Sequence, residues 1–225
     1  MVERPTLRRW SRVAVLGFVL AGAISWALWS QFGPQRGGVQ GSPSANEVDA
    51  EQLRRAHLMD ELMAGKVKGG GFALVDQAGE TRTLSEFRGR LVVMYFGYTS
   101  CPGICDTDLS QIGAVVRDLG SDGARVQPLF ITIDPERDTP SRLSAYLADF
   151  DPSIIGLTGT LEQVNRVADQ YNAYFAKVPV EGSEHYMMDH SAYIYLLDRN
   201  GGFLGAFPSG TKVDRLAQVV DTYLQ

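Results

Sequence analysis

The stretch Leu91-Val92-Val93-Met94-Tyr95-Phe96-Gly97-Tyr98-Thr99-Ser100-Cys101-Pro102-Gly103-Ile104-Cys105 decides the fold. Its first half, Leu91 to Phe96, is a nearly continuous apolar run, the pattern of a strand buried on both faces of a sheet. After the polar, glycine-containing turn the chain enters Ile104 to Leu119, where Ile104, Ile112, Val115, Val116 and Leu119 fall near one face of a helix. The two cysteines of the chain, Cys101 and Cys105, flank that strand-to-helix turn. If Pro102 starts the helix, Cys105 comes about one turn after Cys101, so that both sulfurs can face one point at a helix N-terminus, where thiolate is stabilised.

Downstream and upstream of this junction the pattern alternates between strands and amphipathic helices. Phe72 to Val75 and Glu80 to Thr83 read as a hairpin about Gly79, and Val126 to Ile133 as the next strand. Thr139 caps a helix with Pro140 in the first position, and Thr160 to Gln163 forms a capping box that opens another. Ala192 to Leu197 and Phe203 to Phe207 read as paired strands around Arg199 to Gly202, and Thr211 to Leu224 as a closing helix. This order is that of an α/β, thioredoxin-like fold spanning 71–225, in which the helix N-terminus after the first core strand carries the chemistry.

The N-terminal third reads differently. Arg4, Arg8, Arg9 and Arg12 precede the apolar run Val13 to Trp29, broken only by Ser25, and no charge follows until Arg36. A basic cluster before an apolar segment at the short end of what spans a hydrocarbon core predicts that 1–30 is a cytoplasmic basic segment and transmembrane anchor, with 13–29 in the membrane. A cleaved signal peptide shares the pattern, but no small-x-small cleavage site follows Trp29, so the anchor is preferred. Residues 31–70 follow as a flexible tether rich in Gly, Pro, Ser and Gln and a short amphipathic helix from Glu47 to Lys66. The formal net charge is −5; the first thirty residues carry four Arg and one Glu, which leaves the remainder at −8 and excludes nucleic acid as a partner.

The cysteine pair admits several readings. A plain disulfide is ordinary in an exported protein, yet a bridge across so short a loop restrains little of the unfolded chain. Two inert buried thiols would not need Pro and Gly at the turn. The remaining readings are a redox couple and part of a metal site. Two thiolates and one imidazole suit a soft ion such as Cu(I) in a three-coordinate site, whereas zinc normally takes a fourth ligand. Of the three histidines, His57 lies in the pre-domain helix and His185 in the loop Glu181 to Tyr186. His190 immediately precedes the strand Ala192 to Leu197, in the loop that approaches the cysteine helix in this fold, and is the best third ligand. Thioredoxins place a cis-proline there, but no proline occurs between Pro179 and Pro208. A peroxiredoxin would need Pro and Thr where Met94 and Tyr98 stand.

Three segments occur in order: Tyr95-Phe96-Gly97-Tyr98-Thr99 leading into Cys101-x-x-x-Cys105, Ile133-Asp134-Pro135-Glu136-Arg137-Asp138-Thr139-Pro140, and Asp189-His190-Ser191. Together they resemble the Sco/SenC copper-delivery family, which serves cytochrome c oxidase assembly, over Gly71 to Leu224. The resemblance implies copper, as Cu(I) with Cu(II) as a second state, held by Cys101, Cys105 and His190. It also implies that Cys101 and Cys105 act as a redox couple, a disulfide when oxidised. The expected task is delivery to, or thiol reduction of, the binuclear copper site of cytochrome c oxidase subunit II, with a periplasmic copper donor and a thiol reductant as further partners. A thiol-disulfide reductase without copper delivery is the alternative. The expected location is the bacterial inner membrane, single-pass, with the C-terminal domain in the periplasm, or the mitochondrial inner membrane facing the intermembrane space. Asp134 and Asp138 are expected to be structural or to support the site from behind its ligands, and Met188 to pack. Gly103 and Asp106 depart from the acidic residue and proline that family members often carry there, which moves negative charge from inside the motif to just after it.

Overall fold

Strand β3, Leu91–Gly97, is buried along its whole length, as its apolar run requires, and lies in the interior of the sheet. The computed structural model describes residues 67–183 and 185–225; the expected anchor, the tether, the Glu47–Lys66 helix and His57 lie outside them. Among the described residues no helix is long and apolar enough to cross a membrane.

Strands β1 (Ala73–Asp76) and β2 (Thr81–Thr83) form the expected hairpin about Gly79, whose φ of +87° fits the turn. A 3-10 turn, Leu84–Phe87, leads into β3. Helix α1 is Ile104–Asp118, β4 Val126–Thr132, α2 Pro140–Leu147, β5 Ile155–Thr158 and α3 Leu161–Gln170. Then come β6 (Phe175–Pro179), β7 (Tyr186–His190), β8 (Tyr193–Leu197), β9 (Phe203–Pro208) and α4 (Val213–Leu224). The main sheet runs β2-β1-β5-β4-β3-β8-β9, and β6 and β7 pair separately. β4 lies parallel to β3 and β5, while β8 closes antiparallel on the other side of β3.

Alternate side chains of β3 serve the two faces of the sheet. Tyr95 stacks with Phe130 of β4, its ring 6.4 Å away, on the side where α1 brings Cys105. Phe96 points the other way, to Tyr171 beyond α3 and Tyr195 of β8. Buried Cys105, Leu109, Ile112 and Val115 form the inner stripe of α1, and buried Leu216, Val220 and Leu224 that of α4. Thr139 caps α2 by accepting from the Arg142 amide, and Thr160 and Gln163 form the expected capping box on α3.

Three local readings change. Helix α1 begins at Ile104, the first residue of the expected helix, and not at Pro102, because Gly103, with φ +94°, occupies a left-handed conformation that interrupts any helical path from Pro102. Ile104, expected on the inner face, is 43% exposed at the first turn. His190 ends strand β7 instead of lying in a loop, since the segment after α3 folds back on itself as the β6–β7 hairpin.

Candidate metal and thiol site

A tight turn sets the cysteines. The Cys101 amide donates to the Tyr98 carbonyl at 3.2 Å and the Gly103 amide to the Cys101 carbonyl at 2.9 Å. Cys101 is thereby held at the mouth of the turn, 8% exposed, and Cys105 on the first turn of α1 is fully buried. Both are free thiols.

Asp138 fixes the loop that precedes them. Its buried carboxylate accepts from the Thr99 amide (3.0 Å), the Thr99 hydroxyl (2.6 Å) and the Thr132 hydroxyl (2.6 Å), joining the end of β4 to the cysteine loop. From outside, Arg142 of α2 donates to the Thr99 and Ser100 hydroxyls at 2.8 and 3.2 Å. Gly97 closes the floor: a Cβ there would lie 2.8 Å from Phe130 and 2.9 Å from both Cys105 Sγ and Tyr95. Only a residue without a side chain lets Cys105 reach this depth.

The third side chain arrives on the hairpin. Phe175 pairs with His190 at its base, and the Ser191 amide donates to the Tyr174 carbonyl at 3.0 Å. The hairpin is tied to the Asp134–Thr139 loop through Tyr186 and Arg137. The Tyr186 hydroxyl donates to Asp134 at 2.8 Å, and Arg137 donates to the Tyr186 carbonyl at 3.0 Å. Arg137 also pairs with Asp134 and lies 3.8 Å from the Tyr186 ring centroid. These contacts place His190 over the cysteine turn.

The ligand atoms of Cys101, Cys105 and His190 all lie within 4.8 Å of one another. His190 Nδ1 is 3.2 Å from the Ser191 carbonyl, an acceptor only, so Nδ1 carries a proton and Nε2 is the ring's other site, a donor when the imidazole is protonated and a lone-pair ligand when it is neutral. Hydrogen bonding from Cys105 and from His190 outweighs burial and lowers the Cys101 thiol to about 5. The same contact with Cys101, joined by burial, pushes the Cys105 thiol up. Burial alone would lower His190, but its contact with Cys101 leaves it raised. The pair therefore holds one nucleophilic thiolate and one retained proton, the poise of a thiol exchanger. Loss of that proton gives two thiolates and an imidazole, a donor set that fits a soft monovalent metal.

The structure thus brings Cys101, Cys105 and His190 together. His185 lies exposed in the hairpin loop, apart from this cluster. Met188 is 6% exposed and belongs to the core, as its packing role requires. Sequence reasoning passed over Tyr95, Gly97, Arg137 and Tyr186 as parts of the site. Glycine ending a buried strand just before the turn is the one local signal that pointed to close approach there.

A thioredoxin-like domain with a Cys-x-x-x-Cys pair at a helix N-terminus and an imidazole delivered by an inserted hairpin defines a class of proteins that combine thiol and metal chemistry in one site. The SCO1/SenC family model matches residues 61–225. The mitochondrial SCO2 homologue of Bos taurus is 36% identical over 189 residues, covering 83% of this chain and 71% of that protein. An SCO2-like protein of Rickettsia felis is 44% identical over 140 residues, 62% of this chain and 68% of that one. Among solved structures, copper-bound ScoI of Bradyrhizobium japonicum is 40% identical with a TM-score of 0.64, covering 69% of this chain and 98% of that one. Copper-bound yeast Sco1 is 39% identical with a TM-score of 0.62, covering 69% and 89%. The chain belongs to the SCO1/SenC family.

Proposed function

We propose that this chain is a membrane-anchored copper carrier of cytochrome c oxidase assembly, with Cys101, Cys105 and His190 as the copper ligands. The observation that carries the reading is the convergence of two sulfurs and an imidazole within 4.8 Å. Copper-bound relatives at 40% and 39% identity support the choice of metal. Residues 13–29 anchor the chain in the inner membrane, 31–70 form the tether, and 71–225 form the copper domain in the periplasm, or in the intermembrane space of a mitochondrion. A periplasmic donor supplies the copper, a thiol reductant keeps Cys101 and Cys105 reduced, and the recipient is the binuclear copper site of oxidase subunit II. Free thiols are the form that accepts Cu(I), and loading releases their protons.

The lowered Cys101 thiol favours a second reading, in which the pair reduces the cysteines of subunit II before any metal arrives. Expression of variants in a deletion strain separates the two. Copper delivery predicts that His190→Ala loses oxidase activity although its Cys101 still exchanges with disulfides. A reductase without delivery predicts that His190→Ala restores oxidase and Cys101→Ser does not. Full activity in a Cys101→Ser, Cys105→Ser double variant would sink both.

A further inference from the structure

Behind the sulfurs lies a polar pair that the copper reading does not use. Tyr95 is fully buried, and its hydroxyl reaches Cys105 Sγ at 3.7 Å, the outer range of a bond to sulfur. Asp108, one turn further along α1, is also fully buried. Its Oδ1 accepts from the Gly210 amide at 3.2 Å, while Oδ2 has no partner of normal geometry among the described residues. A buried polar atom without a partner calls for an explanation. Burial, with Cys105 and Asp108 both acting on the hydroxyl, keeps Tyr95 protonated far beyond the ordinary phenol range. A single phenolic proton cannot serve two acceptors at full strength.

We infer that Tyr95 is a positioning residue whose hydroxyl donates its hydrogen bond to Cys105 Sγ in competition with the Asp108 carboxyl, and so sets how strongly that sulfur donates. For copper this rests on the carrier reading above, since hydrogen bonds to a ligating sulfur tune the metal. For the thiols it stands without copper. The hydrogen bond favours the dithiol, because a thiol or thiolate sulfur accepts better than a disulfide sulfur. In oxidation by glutathione disulfide, Cys101 and Cys105 lose two protons and two electrons and form one S–S bond. The S–S bond of glutathione disulfide breaks, and two glutathione thiols take up those electrons and protons.

The test equilibrates the full-length chain, metal-free, with glutathione buffers. Tyr95→Phe should move the equilibrium roughly 3- to 10-fold toward the disulfide, about 15–30 mV for two electrons. Asp108→Asn, a weaker acceptor of the same shape, should move it toward the dithiol, and that shift should vanish in the Tyr95→Phe background. An unchanged equilibrium in Tyr95→Phe, or an Asp108→Asn shift of equal size in both backgrounds, overturns the inference. Should Tyr95→Phe not fold, Asp108→Asn alone decides: a shift toward dithiol supports it, and no shift or the opposite shift overturns it. After loading with a Cu(II) salt, the sulfur-to-copper charge-transfer band should move to longer wavelength in Tyr95→Phe, and a loaded variant with an unmoved band overturns the copper part. A wild-type chain that takes up no copper sinks the carrier reading, while the glutathione comparison still judges Tyr95.

Discussion

The His190 imidazole stands edge-on to the ring of Tyr98, with 5.9 Å between centroids and 87° between planes. Tyr98 also carries the carbonyl to which the Cys101 amide donates, so one residue sets both the cysteine turn and the orientation of the histidine. Such ring pairs contribute about 0.5–1.5 kcal/mol. The larger consequence is geometric, because the hairpin and the turn are held in register.

Arg137 reinforces that register from the other side. Its guanidinium lies 5.8 Å from the Tyr98 ring centroid and 3.8 Å from that of Tyr186, and it pairs with buried Asp134. Arg137→Met should destabilise the domain by about 2–4 kcal/mol, since it strands a buried carboxylate and removes the cation from both rings. Cu(I) affinity should fall about 10- to 100-fold, as for other residues that orient a ligand. Urea denaturation and a competitive chelator titration check the two effects; unchanged copper affinity would show that the hairpin needs no such anchor.

Gly97 is a steric requirement and not a matter of backbone freedom. Gly97→Ala inserts a Cβ within 2.9 Å of Cys105 Sγ, Tyr95 and Phe130. Overpacking of this kind costs about 1–3 kcal/mol, and Cys105 is displaced toward solvent. The checks are the denaturation midpoint and the rate at which Cys105 is alkylated, which should rise.

Asp138→Ala leaves the Thr99 amide and the Thr99 and Thr132 hydroxyls without their acceptor. An unsatisfied buried group costs about 1–3 kcal/mol; of the three only the Thr132 hydroxyl is fully buried, so a loss of at least about 1 kcal/mol is expected in equilibrium unfolding. Asp138→Asn retains an acceptor oxygen and should lose less. Equal losses in the two variants would contradict this hydrogen-bond account.

The thiols predict a pH profile. Cys101 is lowered to about 5 by its contacts with Cys105 and His190, and Cys105 is raised by the same contact and by burial. A lowered thiol stays ionised as pH falls, until pH passes its own pKa. Iodoacetamide should therefore modify Cys101 of the reduced, metal-free chain at a rate that stays near its plateau from about pH 8 to about pH 6. An ordinary thiol, with a pKa near 8.5, loses about tenfold per pH unit over that range. In His190→Ala the midpoint should move upward, and a wild-type midpoint near 8.5 would contradict the assignment.

Much of this was legible in the sequence because the deciding signals are local. The apolar run Leu91 to Phe96, the cysteines at its turn and the caps at Thr139 and Thr160 each declare themselves within a few residues, and the structure bears out the elements they announce. What was missed depends on distant partners or on weak patterning. β5, Ile155–Thr158, is only four residues long. The β6–β7 hairpin escaped because β6 is mostly exposed and ends in Pro179, so it shows no clear alternation. His190 lies beside the cysteines, but the strand that carries it shows no pattern that separates it from a loop. Asp138 was expected to be structural, but its grip on Thr99 spans 39 residues and leaves no local trace. The left-handed Gly103 likewise carries no signal distinguishing it from a glycine inside a helix's first turn.

The most direct measurement is a Cu(I) titration of the reduced full-length chain, its His190→Ala variant and its Cys101→Ser, Cys105→Ser double variant against a competing chelator. One copper per chain should bind to the native protein, about 10-fold or more weakly after loss of the imidazole, and not measurably without the sulfurs. Native affinity in His190→Ala would contradict the three-ligand site, and native affinity in the double variant would contradict the whole account.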